Sequence, residues 1–98
     1  MEMFEDVILS KKPVLVDFFA TWCGPCKVMH PILEQVKQQI GDTARIVKID
    51  VDKQEDLATQ YRIQTVPTFI IFKEGTAVWR HSGTMSVTDL KAAIEQNA

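Results

Sequence analysis

A chain of 98 residues with 46 % apolar and 24 % charged side chains is ordinary for a soluble globular protein and has room for one domain, 1–98, with a modest core. Its formal charge of −2 is scattered, with no basic stripe of the kind that marks nucleic-acid binders. No apolar run approaches the roughly 20 residues of a membrane span, and the acidic start Met1-Glu2-Met3-Phe4-Glu5-Asp6 is unlike an export signal, so a cytoplasmic chain with no nucleic-acid or membrane partner is expected.

The elements alternate along the chain. Phe4, Val7 and Ile8 fall at helical spacing and predict a short helix over 3–10. After Pro13, the run Val14-Leu15-Val16-Asp17-Phe18-Phe19 is almost continuously β-prone, the pattern of a central strand buried on both faces. From about Gly24 to Ile40, Val28, Met29, Ile32, Leu33, Val36 and Ile40 recur every three to four residues, and Gly41 closes the helix. Pro31 inside this pattern predicts a kink.

Arg45 to Val51 reads as a second strand and Gln54 to Tyr61 as a short helix. Thr68-Phe69-Ile70-Ile71-Phe72 and Ala77 to His81 flank the turn signal Lys73-Glu74-Gly75-Thr76 and predict an antiparallel hairpin. Ser86 is placed to cap a last helix, whose apolar stripe is Val87, Leu90, Ala93 and Ile94. The alternation as a whole predicts an α/β fold: a mostly parallel sheet with helices on both faces.

The two cysteines, Cys23 and Cys26, are three residues apart, too close to staple a long loop. Cys23 falls where the buried strand hands over to the helix. Unpaired N–H groups and a partial positive charge at a helix start stabilise a thiolate, the nucleophilic form. Three residues on is one turn, so Cys26 shares the face of Cys23 and is placed to resolve a mixed disulfide formed there. Gly24 allows close backbone approach, and Pro25 suits a first helical turn because it needs no donor. Half of a zinc site is an alternative, but His30 and His81 do not complete a four-ligand set, and no metal is expected. A pair of inert buried thiols is the other alternative.

Asp17 interrupts a strand that otherwise reads as buried. A carboxylate there either turns to solvent at a strand end or sits inside with its pKa raised. Pro67 opens a strand, where a missing donor is tolerated. Trp22 is read as partly exposed beside the reactive turn rather than packed in the core. Met85 borders this region or belongs to the core, and His30 reads as a helix residue facing water.

The segment Val16-Asp17-Phe18-Phe19-Ala20-Thr21-Trp22-Cys23-Gly24-Pro25-Cys26-Lys27 resembles the active-site block of the thioredoxins. Val47-Lys48-Ile49-Asp50-Val51-Asp52 resembles the next strand of that family, Tyr61-Arg62-Ile63-Gln64-Thr65-Val66-Pro67-Thr68 the segment around its cis-proline, and Gly83 its glycine beside the site. The resemblance implies a thioredoxin fold in which the first family strand is absent. The sheet is then four-stranded and mixed, in the order 45–51, 14–19, 68–72, 77–81, with helices on both faces and the first of these strands left as an edge. Such an edge is a route to association, although a monomer is expected.

The same resemblance implies a protein-disulfide reductase in which Cys23 attacks and Cys26 resolves. Asp17 lies beneath the cysteines as the base for Cys26, and Lys48 approaches that carboxylate, the alternative for Lys48 being a surface strand lysine. Trp22, Gly24, Pro25, Val66, Pro67 and Gly83 would form a substrate surface, with the backbone of Val66 open to pair with an extended peptide. Oxidised substrate proteins and a flavin- and NADPH-dependent thioredoxin reductase are the implied partners, and no bound cofactor is implied. Phe19 stands where many relatives have tryptophan. A disulfide oxidase or isomerase on the same fold, and an adaptor with incidental thiols, are the rival functions.

Overall fold

A computed structural model describes residues 2–98 and contains the alternating elements in the expected order. They are α1 (Phe4–Val7), β1 (Val14–Phe19), α2 (Gly24–Ile40), a 3-10 turn (Gly41–Thr43), β2 (Arg45–Asp50), α3 (Glu55–Gln60), β3 (Thr68–Lys73), β4 (Thr76–Ser82) and α4 (Val87–Gln96). The first helix is shorter than the expected 3–10, because Met3 caps it without a side-chain bond and the chain is already turning at Ile8.

The sheet has the order β2-β1-β3-β4. Only β1 and β2 run parallel; β1/β3 and β3/β4 are antiparallel. The mostly parallel sheet read from the alternation is therefore corrected to the mixed one. The chain leaving β2 passes through α3 and enters β3 from the end where β2 stopped, so β3 runs against both β1 and β2. The β3/β4 hairpin closes on Glu74 and Gly75, both with positive φ (51° and 85°), as a two-residue turn between strands requires.

Alternation along β1 divides the core in two. Leu15 packs with Met29, Leu33 and Val36 of α2, Phe69 and Ile71 of β3, and Leu90 and Ile94 of α4. Val14, Val16 and Phe18 point the other way, toward Val7, Ile70 and Phe72, with Phe4, Leu57 and Tyr61 packed around them. Both faces of β1 are thus dry, and any polar group on it is confined. Val28, expected in the apolar stripe of α2, is instead 57 % exposed. The positions Cys26, Met29, Leu33, Val36 and Ile40 hold the buried face, and Val28 lies off it. The stripe expected of α4 is present, and Ser86 caps that helix by accepting the N–H of Asp89 at 3.1 Å.

Candidate active site

The β1 strand ends at Phe19 and α2 begins at Gly24, so only four residues make the handover. Cys23 is the residue that caps α2, with extended backbone, and its sulfur accepts the N–H of Cys26 at 3.1 Å. One of the free donors at the helix start is therefore spent on sulfur rather than on water. Gly24 and Pro25 occupy the first two helical positions and Cys26 the third. The two cysteines are joined as a disulfide with Cα atoms 5.3 Å apart. Both cysteines are buried, Cys23 3 % and Cys26 1 % exposed.

Ala20, Phe19, Val51 and Val66 pack around the pair. The carbonyl of Val66 lies 3.5 Å from Cys23 Sγ, and the Val66–Pro67 peptide bond is cis. Gly83 reaches the same place from the end of β4: its N–H donates to Pro67 O at 2.8 Å, with φ at +100°, a conformation that favours glycine. Pro25, Val66, Pro67 and Gly83 line one shallow groove of about 320 Å³ together with Thr65, Ser82 and Thr84. Trp22 is 70 % exposed and leans away from that groove, its Nε1–H donating to Asp52 Oδ2 at 3.0 Å. Gly24 is exposed at the helix start. Met85 belongs with the core side, its N–H resting 3.4 Å from Met29 Sδ.

Asp17 is buried, 1 % exposed, and neither carboxylate oxygen has a hydrogen-bond partner. Period-two alternation puts it on the Leu15 side of β1, beneath α2. Loss of water raises its pKa to about 6, against a smaller pull downward from the Lys48 charge.

Lys48 sits directly opposite Asp17 in the β1/β2 register. Its ammonium, however, is not on the carboxylate. Lys48 is exposed and its Nζ lies 2.9 Å from Nδ1 of His30. The water-facing position expected of His30 is corrected accordingly: it is half-buried, edge-on to the Phe19 ring at 6.2 Å between centroids.

Two residues thus join the site that the sequence did not single out, His30 and Asp52. Asp52 lies in the Val47–Asp52 run and needed only a partner to be noticed. For His30 the available signal was its position, one turn beyond Cys26 on the same helix.

The fold and the paired cysteines define a protein built around a reversible dithiol at the head of a helix. The sequence model of the family described as Thioredoxin matches residues 1–96, and the chain belongs to the thioredoxin family. A curated relative, thioredoxin Y, chloroplastic, of Oryza sativa subsp. japonica, is 50 % identical over 86 residues, covering 88 % of this chain and 51 % of that protein. The chain thus spans about half the length of this plant relative. A thioredoxin-like protein of Synechocystis sp. is 53 % identical over 81 residues, covering 83 % of this chain and 77 % of the relative. Among solved structures, a mutant thioredoxin from Halobacterium salinarum NRC-1 superposes with a TM-score of 0.86 at 38 % identity, covering 94 % of this chain and 80 % of the other. Mitochondrial thioredoxin 3 from Saccharomyces cerevisiae in its oxidized form gives 0.86 at 36 % identity, covering 95 % and 86 %.

Proposed function

We propose that this chain, acting as a single domain, is a protein-disulfide reductase cycling between the Cys23/Cys26 dithiol and the disulfide. The observation that carries the reading is the cap at Cys23: its sulfur accepts the Cys26 N–H at 3.1 Å, the place where negative charge on sulfur is most favoured. In the reduced protein the Cys23 thiolate attacks one sulfur of a substrate disulfide. That S–S bond breaks, the first substrate thiolate leaves, and a mixed disulfide forms on Cys23. Cys26 then gives its proton to Asp17 and attacks Cys23 Sγ, expelling the second substrate thiolate and leaving the Cys23–Cys26 bond. The electron pair is carried by the two sulfurs themselves, so the cycle calls for no bound cofactor.

The groove lined by Pro25, Val66, Pro67 and Gly83 fits an extended substrate segment beside Cys23, and the exposed Trp22 and Gly24, the chain neighbours of Cys23, extend the contact surface for the substrate. Recharging falls to a thioredoxin reductase, the protein works as a monomer, and its thiols suit a reducing compartment such as the cytoplasm.

The test is reduction of insulin by wild type and Cys23→Ser, with dithiothreitol and then with NADPH and a thioredoxin reductase. Wild type turns over in both assays and Cys23→Ser in neither. Equal rates for the two proteins would make the thiols incidental and the chain an adaptor.

A further inference from the structure

His30, Lys48 and Asp17 come from three elements, α2, β2 and β1, with Lys48 bonded to His30 and standing opposite Asp17 in the strand register. A lysine ammonium has only donors, so the 2.9 Å contact makes His30 Nδ1 the acceptor. Phe19 backs the imidazole edge-on and limits its rotation. Across the strands, Lys48 and Asp17 are register partners, yet among the described residues the only ion pair within 4.0 Å is between Arg45 and Glu2. Asp17 keeps both oxygens unpartnered although a cation stands opposite it.

We propose that His30 is a positioning residue that holds the Lys48 ammonium off the Asp17 carboxylate. The bond to His30 keeps the ammonium at the exposed edge of the sheet, where it stays hydrated, and leaves the buried acid without a counter-ion. A free Lys48 side chain is long enough to turn inward along the same face, toward the only buried carboxylate there. His30 thereby sets how readily Asp17 ionises. Through Asp17 it sets the pH range in which Cys26 can lose its proton, a consequence that rests on the reductase reading. The other charged groups around the cluster are Asp50 on the same face of β2, and Lys27 and Glu34 on α2 one turn to either side of His30. Asp50 is engaged by the N–H of Asp52 at 2.9 Å, while β3 brings only apolar Phe69 beside Asp17. Lys48 alone among these is hydrogen-bonded to the ring.

The test compares two neutral replacements. His30→Asn places Oδ1 where Nδ1 stood and keeps an acceptor for Lys48; His30→Ala removes it. Neither titrates, so any difference between them is the effect of the acceptor. The readout is the midpoint of the Asp17 carboxyl carbon resonance in the oxidised protein. The expected result is a midpoint about one pH unit lower in His30→Ala than in His30→Asn, because the released ammonium reaches the carboxylate. In the Lys48→Met background the difference vanishes. Equal midpoints in the two variants, or a difference that persists without Lys48, would overturn the proposal. The acid limb of insulin reduction should move with the midpoint. The titration itself needs no turnover, so an inactive wild type would defeat the reductase reading by a separate result.

Discussion

Two carboxylates of this chain face cations of the same strand, and they respond in opposite ways. Glu2 meets Arg45 at the open edge of the sheet through two bonds, 2.6 and 3.1 Å long, and the guanidinium holds its pKa below the usual carboxylate value. Asp17 faces Lys48 three residues further along β2, and its pKa rises to about 6 because burial outweighs the cation. What separates them is access to water and to a direct partner. The edge pair has both and the buried acid has neither. An exposed ion pair of this kind is close to neutral for stability, whereas a buried unpaired acid is a proton acceptor set near working pH.

The comparison is broken most severely by removing the buried acid. Asp17→Asn should lower insulin turnover at pH 7 by roughly tenfold to a hundredfold, since it removes the carboxylate proposed as the base for Cys26. Wild-type turnover should fall below about pH 6 as Asp17 takes up a proton, and the variant should lack that limb. Rate profiles of identical shape would remove Asp17 from the mechanism.

Stability is the next largest effect. The folded value of Asp17 lies above its unfolded one, so folding takes up a proton between about pH 4 and pH 6. The stability tied to the protonated form is complete below pH 4 and is lost as pH rises through about 6. Asp17→Asn should therefore be the more stable protein at pH 8 by about 2–3 kcal/mol in urea, and the gap should close toward pH 4.

A third carboxylate sharpens the contrast. Asp52 binds Trp22 at an exposed position, so Asp52→Ala should leave the pH profile unchanged and raise the KM for insulin roughly two- to fivefold. The smallest effect belongs to the edge pair. Glu2→Gln should leave the urea midpoint where it is at both low and high salt, because the pair is solvated.

Much of this arrangement was legible in the order of residues. The β1 run between Pro13 and Ala20, the stripe of α2 and the Ser86 cap are local patterns, and the structure reproduces them with shifts of a residue or two at the ends. The proximity of the cysteines followed from their spacing at a strand-to-helix junction. The β3/β4 hairpin was legible in its turn signal and the mixed sheet in the family resemblance, but the alternation alone did not give the direction of β3 against β1, because the path of the segment between β2 and β3 is set by tertiary packing. The partner of Lys48 was hidden for a similar reason. Strand register brings it opposite Asp17, but a side chain from α2 competes for its charge, and helix-on-sheet placement is a tertiary fact. Val28 shows the converse error: an apolar residue at near-helical spacing that falls just outside the buried arc.

The proposed reductase chemistry depends on charge held at the Cys23 sulfur by the start of α2. Iodoacetamide labelling of the reduced protein at pH 7, followed residue by residue with peptide mass spectrometry, measures this directly. Cys23 should react several-fold faster than both Cys26 and free cysteine. A rate at Cys23 equal to or below that of free cysteine would contradict the claim.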